Sequence, residues 1–118
     1  MKKKFDVDFL DEAIDFIESL NPKEREKILY NAKKAQLVND PELFKKLNDS
    51  IWEFRTKYRR SHYRLLAFWD KTDKEDTLVL ATHGFVKKTQ KTPKADIERA
   101  EKIKKEYFTK KSRNDEKR

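Results

Sequence analysis

Residues 52–70 read WEFRTKYRRSHYRLLAFWD, and this stretch predicts two strands joined by a tight turn. In residues 52–58 the charged side chains of Glu53, Arg55 and Lys57 alternate with three aromatic side chains and a threonine, which is the period-two pattern of a strand with one polar face. Residues 59–61 are polar and indicate the hairpin turn. Every residue from Leu65 to Trp69 is apolar, so we expect the second strand, His62 to Asp70, to be central in a sheet.

All three prolines follow a residue that suits a helix N-cap: Asn21-Pro22, Asp40-Pro41 and Thr92-Pro93. Proline has a fixed φ and no N–H group, so it fits the first position of a helix. The pattern predicts a helix from Pro22 to about Gln36, a short helical turn from Pro41 through Leu47, and a last helix from Pro93, with Thr92 and Pro93 as its cap. Residues 110–118 contain no apolar side chain, and we expect them to be a charged, frayed tail.

Two further strands complete the predicted sheet. Apolar and acidic side chains alternate from Phe5 to Phe9, and a helix with an apolar face follows them. A polar turn at residues 71–76 leads to a strand from Thr77 to Phe85. This order predicts a single α+β domain over residues 1–109, with two N-terminal helices and one C-terminal helix packed on an antiparallel sheet.

The charge of the chain indicates polyanionic partners. Its 118 residues carry a formal net charge of +8, with 30 lysines and arginines against 22 acidic residues. The positive charge is concentrated in the second half, because residues 5–20 contain six acidic residues and no basic one, whereas residues 84–94 contain four basic residues and no acidic one. No apolar run approaches the about 20 residues that cross a bilayer, and there is no cysteine. We expect a cytoplasmic protein with no membrane partner.

Few of the common catalytic sites fit this sequence. The two histidines, His62 and His83, have no acidic cluster at metal-ligand spacing beside them. A lone glycine, Gly84, cannot form a glycine-rich phosphate loop, and no serine lies in the strand-to-helix turn typical of a nucleophile. We therefore expect no metal and no cofactor.

What remains is a set of basic side chains on or beside the predicted strands. Arg55 lies on the first strand of the hairpin, Arg64 lies on the second, and His83, Lys87 and Lys88 lie on or just past the next strand. Antiparallel neighbours bring such residues to one face or rim of a sheet. Guanidinium groups bind phosphate bidentately, and lysine acts as a mobile point charge. The pattern favours binding to phosphate groups.

Three motifs carry a family resemblance: Trp52-Glu53-Phe54-Arg55, Tyr63-Arg64-Leu65 and His83-Gly84-Phe85-Val86-Lys87-Lys88-Thr89-Gln90-Lys91-Thr92-Pro93. In this combination they resemble the RelE/ParE toxin superfamily, and within it the HigB-like, phage-derived branch. The resemblance runs from about residue 5 to residue 107 and is conservative where it departs, with Phe54 in place of the usual leucine. It implies a RelE-like fold for the predicted α+β domain.

The resemblance also implies a function. Proteins of this superfamily are toxins of type II toxin–antitoxin modules, and many cut mRNA in the ribosome without a metal, by attack of the RNA 2′-hydroxyl on its own 3′-phosphate. The expected partners are the ribosome and mRNA, a cognate antitoxin of the helix-turn-helix type, and operator DNA through the antitoxin complex.

Eight residues are candidates for the site, and the resemblance itself assigns roles to four of them: Arg64 and Lys87 would clamp the phosphate, Arg55 would hold the RNA backbone, and Lys88 would supply proton transfer or charge. As catalytic residues it implies Arg64, Lys87 and Lys88. The expected RNA- and phosphate-binding residues are Arg55, Lys57, Tyr63, His83 and Lys91.

Other interpretations stay open at this point. The chain could be a DNA gyrase poison, as in the ParE branch, or a nonenzymatic co-repressor that binds DNA with its antitoxin. Residue by residue, His83 could simply hydrogen-bond within the sheet, and Lys87 and Lys88 taken alone resemble a solvated charge run. Glu53 is more typical of a structural partner for a neighbouring basic residue than of a catalytic base.

Overall fold

The computed structural model describes residues 2–72, 77–88 and 90–116. Part of the predicted turn at residues 71–76, and Thr89 of the third motif, lie outside the described residues. The elements in chain order are β1 (Asp6–Phe9), α1 (Asp11–Glu18), α2 (Pro22–Leu37), β2 (Phe44–Lys46), β3 (Trp52–Tyr58), β4 (Ser61–Asp70), β5 (Leu78–Val86) and α3 (Lys94–Glu116).

The strands form one five-stranded sheet in the order β1-β5-β4-β3-β2. The β3–β4 hairpin and the central position of β4 confirm the prediction from residues 52–70. The sheet is mixed, however, because β1 pairs with β5 in parallel, so the expectation of an antiparallel sheet was wrong. A parallel pair needs a long connection, and residues 10–77 separate β1 from β5. Local sequence cannot reveal such a pairing.

The helices cover both faces of the sheet. Alternation along β4 directs Tyr63 and Leu65 to the face covered by α1 and α2, and Leu66 and Phe68 to the face covered by α3. Ala100 of α3 is fully buried against the second face. The fold is therefore α+β, with a mixed sheet between a helix pair and a single long helix.

The start of α2 matches the sequence analysis. Asn21 is the N-cap, and its side chain accepts a hydrogen bond from the backbone N–H of Glu24 at 2.9 Å. The Glu24 carboxylate in turn accepts from the backbone N–H of Asn21 at 3.1 Å, which completes a capping box. Pro22 is the first helical residue.

A short edge strand replaces the helical turn predicted from Pro41. Residues 41–43 form a turn, and β2 then pairs antiparallel with β3, with Phe44 opposite Phe54. The Phe44 ring stacks on Trp52 and Phe54, with centroid distances of 4.9 and 4.5 Å. This aromatic contact outweighs the local helix signal, because tertiary packing decides the conformation of so short a segment.

The start of α3 also differs from its predicted cap. The first helical hydrogen bonds run from the N–H groups of Asp96 and Ile97 to the carbonyl of Pro93, so α3 begins at Lys94. The hydroxyl of Thr92 does not cap the helix, because it donates to the buried carboxylate of Glu53 at 2.6 Å.

Helix α3 extends into the tail that was expected to be frayed, residues 110–118, and it remains helical to Glu116. Lys111 Nζ and Tyr107 Oη donate to Asp70 Oδ2 at 2.7 and 2.6 Å. Burial alone would raise the pKa of Asp70, but these hydrogen bonds outweigh it and hold that pKa well below its ordinary value. The bonds tie the end of β4 to the last turns of α3, which explains why a segment with no apolar residue stays helical.

Gly84 serves packing rather than backbone flexibility. Its φ is not positive, so its conformation does not require glycine. A Cβ at this position would collide with the ring of Phe16 on α1 and would lie 2.7 Å from the Leu65 side chain. The absence of a side chain therefore allows α1 to lie close to β5.

We expect Gly84→Ala to destabilise the fold, because the added methyl group overpacks the contact between α1 and β5. Overpacking of this kind costs about 1–3 kcal/mol, which urea denaturation measures directly. Ser112→Ala, at an exposed position of α3, is the matched control and should leave the free energy of unfolding nearly unchanged. Equal stabilities for the two variants would contradict the packing role.

Candidate phosphate-binding site

Basic side chains of β3 and β4 gather on the α3 face of the sheet. The strand register places Arg55 directly opposite Arg64, Lys57 opposite His62, and Glu53 opposite Leu66. Because Leu66 faces α3, alternation along the strands puts all of these residues on the same face. Two guanidinium groups thus lie side by side, an arrangement that is unfavourable without a compensating charge.

Arg64 is the most deeply placed of these residues, with 3% of its side chain exposed. Its Nη1 donates to the backbone carbonyl of Tyr63 at 3.0 Å, and its Nε lies 3.6 Å from Glu53 Oε1. Burial lowers the pKa of Arg64; Glu53 raises that pKa and Arg55 lowers it further. An arginine stays charged under such shifts, so Arg64 places a permanent positive charge inside the protein.

Glu53 supplies the compensating charge. Its side chain is also only 3% exposed, and its Oε2 lies 3.6 Å from Arg55 Nε. Removing one partner of a buried ion pair typically costs about 3–5 kcal/mol, because the other charge is left uncompensated. Glu53 is therefore a structural partner of the two arginines, as its sequence context suggested.

Lys87 brings a third positive charge to this carboxylate. The residue follows β5, and its backbone N–H donates to the carbonyl of His62 at 2.7 Å. Burial lowers the pKa of Lys87, as do Arg64 and Arg55, while Glu53 opposes them. We call Glu53, Arg55, Arg64 and Lys87 the basic cluster.

The basic cluster has more positive charge than its one carboxylate can neutralise. The Nε atoms of Arg55 and Arg64 are buried and make no hydrogen bond in the described structure. Burial lowers the pKa of the exposed His62 imidazole, and the charges of Arg64, Lys57, Lys87 and Arg55 lower it further. Such a surface stabilises an anion placed against it.

Lys45 belongs beside this cluster and was missed by the sequence analysis. It lies on β2 opposite Glu53, and its charge contributes to the lowering of the Lys87 pKa. The segment was interpreted as a helical turn, and a strand of three residues offers too little alternation to indicate otherwise. The aromatic stacking of Phe44, visible only in the structure, sets the direction of the Lys45 side chain.

His83 holds secondary structure together instead of presenting a free ring nitrogen. The pairing of β4 with β5 shifts register between Leu66 and Ala67, and Thr82 and His83 occupy this bulge. The His83 Nδ1 lies 3.0 Å from Thr82 Oγ1, and Nε2 lies 3.2 Å from Asp96 Oδ1 in the first turn of α3. The structure therefore favours hydrogen bonding within the fold, the alternative noted for His83 above. The partner Asp96 gave no signal in the sequence beyond an acidic residue near a helix start.

The other four predicted site residues lie in three different places. Tyr63 lies apart from the basic cluster, because its side chain is buried on the opposite face and its hydroxyl donates to Glu24 on α2. Lys57 is exposed on the face of the cluster. Lys88 and Lys91 are exposed on the segment that joins β5 to α3.

Among the described residues, no group of three or more histidine, cysteine or acidic side chains is placed to hold a metal ion. Within the same residues, no helix combines the length and the apolar character that a membrane span requires.

Comparison with known proteins identifies the family of this chain. No curated protein matches the chain. The family model described as phage-derived Gp49-like protein matches residues 15–105, a range that covers well over half of the chain and includes the whole basic cluster. The chain therefore belongs to the family of phage-derived Gp49-like proteins.

Proposed function

We propose that this protein is the toxin of a type II toxin–antitoxin module and acts as a ribosome-dependent mRNA endonuclease. The observation that carries the proposal is the basic cluster, in which two arginines and a lysine lie near one buried carboxylate on the α3 face of the sheet. A phosphodiester group would supply the negative charge that this arrangement lacks. Membership of the Gp49-like family is consistent with a toxin–antitoxin toxin.

The proposed reaction needs charge and proton transfer but no metal. The 2′-oxygen of a ribose forms a bond to the adjacent phosphorus, the bond from phosphorus to the 5′-oxygen breaks, and a cyclic phosphate and a 5′-hydroxyl result. The 2′-hydroxyl loses a proton and the leaving 5′-oxygen gains one. Negative charge grows on the phosphate oxygens in the transition state, where fixed cations stabilise it most.

The cations of the cluster differ in burial, and their proposed roles differ accordingly. Arg64 is almost inaccessible, so it acts mainly through its charge, whose effect is strengthened in surroundings of low dielectric constant. Arg55, with 28% of its side chain exposed, and Lys87 supply the direct contacts to the phosphate. A lysine with a lowered pKa gives up its proton more readily, so Lys87 is suited to protonate the leaving oxygen. Lys88 would add charge or transfer the second proton.

The remaining partners follow from the same proposal. A cognate antitoxin, expected to carry a helix-turn-helix domain, would neutralise the toxin and bring the complex to operator DNA. The cluster would meet mRNA in the cytoplasm, inside the ribosome. Lys57, Lys88 and Lys91, which are exposed, would extend the contact along the RNA backbone.

Cleavage of a translated message tests the proposal. After induction of the wild type, primer extension should reveal new 5′ ends, and Lys87→Ala should reduce them about 100-fold or more, the usual effect of removing one transition-state contact. Lys102→Ala, at an exposed position on α3, is the matched control and should cleave normally. Both variants should still bind the antitoxin.

Two results would contradict the proposal that the protein is a nuclease. The absence of new 5′ ends together with inhibition of gyrase supercoiling would identify a gyrase poison. Unimpaired growth, together with operator binding by the antitoxin complex that Lys87→Ala weakens, would identify a co-repressor.

The lowered pKa of Lys87 makes a second prediction. Phosphate binds the protonated lysine, so affinity for single-stranded RNA should fall as the pH rises, beginning below the ordinary lysine pKa of about 10.4. Lys87→Arg keeps its charge to higher pH, so its affinity should persist across the range in which the wild type loses affinity. Fluorescence anisotropy with a labelled RNA oligonucleotide measures both curves. Identical pH dependence would show that Lys87 does not contact the phosphate.

A further inference from the structure

A hydrogen bond joins the end of the basic third motif to the buried carboxylate of the cluster. Thr92 Oγ1 donates to Glu53 Oε1 at 2.6 Å, across 39 residues of sequence. The hydroxyl is available because the carbonyl of Pro93, not the side chain of Thr92, accepts the first hydrogen bonds of α3. A threonine that seemed to be a helix cap is thus part of the surroundings of the arginines.

The two oxygens of Glu53 face different partners. Oε1 lies 3.6 Å from Arg64 Nε and also accepts the Thr92 hydrogen bond, while Oε2 lies 3.6 Å from Arg55 Nε. At that separation the ion pairs attract the carboxylate without the directional preference of a hydrogen bond. The shorter bond from Thr92 has that preference, so it determines which way the plane of the carboxylate turns.

The orientation of this carboxylate matters because both guanidinium groups depend on it. The Nε atoms of Arg55 and Arg64 are buried without hydrogen-bond partners in the described structure, so the Glu53 charge is what balances their repulsion across the strand pair. If the carboxylate turned, the distance from each oxygen to its arginine would change. Sites that stabilise a developing charge lose much of their effect when their donors shift by about 1 Å.

We propose that Thr92 is a positioning residue of the phosphate site. By orienting Glu53, its hydroxyl sets the placement of two guanidinium groups: that of Arg55, which contacts the phosphate, and that of Arg64, whose charge acts on it. The proposal rests on the proposed function for the nature of the ligand, an RNA phosphodiester, but its geometric part stands on the hydrogen bond and the two ion pairs alone.

The experiment compares hydroxyl deletion with hydroxyl retention. Thr92→Val removes the hydroxyl at nearly constant shape, and Thr92→Ser keeps it. Thr109→Val is the matched control, because the Thr109 hydroxyl bonds only within α3, to the carbonyl of Lys105. In each protein, the arginine Nε–H signals are recorded by ¹⁵N NMR, and affinity for a fluorescein-labelled single-stranded RNA oligonucleotide is measured by anisotropy.

Thr92→Val should shift the Nε signals of Arg55 and Arg64 and weaken RNA binding about tenfold, the expected effect of losing one hydrogen bond to a charged group. Thr92→Ser should restore both properties, and Thr109→Val should leave both as in the wild type. If Thr92→Val does not fold, Thr92→Ala repeats the test with a smaller side chain.

Unchanged arginine signals in Thr92→Val, or a serine variant that behaves like the valine variant, would overturn the positioning role. Weaker RNA binding with unchanged arginine signals would also overturn it, because Thr92 would then act on the RNA directly. The outcome is separable from that of the proposed function. A wild type that cuts no message, with arginine signals that respond to Thr92, would refute the nuclease and leave the positioning role intact.

Discussion

The buried carboxylate of Glu53 is the interaction on which the candidate site depends. It lies between two arginines that the strand register places directly opposite each other, and without it their charges would repel inside the protein. One negative charge makes the arrangement tolerable but does not neutralise it, since Lys87 adds a third cation. One face of the sheet therefore carries excess positive charge, which a bound phosphate would neutralise.

The rest of the fold serves to build this face. Alternation along β3 and β4 separates an aromatic and aliphatic side, covered by α1 and α2, from the side that carries the cations. The bulge at Thr82 and His83 joins β5 to the first turn of α3 through Asp96. Thr92, at the approach to the same helix, reaches Glu53. The first turn of α3 is thus hydrogen-bonded to β5 through Asp96, and Thr92, just before the helix, is hydrogen-bonded to β3.

Sequence patterns predicted the hairpin, the central β4 and the capped start of α2, because each depends on neighbours close in the chain. They failed for β2, whose conformation depends on stacking between Phe44 and the aromatic residues of β3, and for the parallel pairing of β1. At the site, the proximity of Arg55 and Arg64 was predictable from an antiparallel register. The contact between Thr92 and Glu53 was not predictable. Pro93, which follows Thr92, favoured the interpretation of Thr92 as a helix cap, and no local pattern encodes a partner 39 residues away.

The central claim is that the basic cluster binds the phosphate of an RNA backbone. A crystal structure with a single-stranded RNA that carries a 2′-O-methyl group, which blocks attack by the 2′-oxygen, tests it most directly. The account predicts a phosphate oxygen within hydrogen-bond distance of both Arg55 and Lys87, on the α3 face of the sheet. RNA whose phosphates all lie on the α1 and α2 face, or beyond reach of these two side chains, would contradict it.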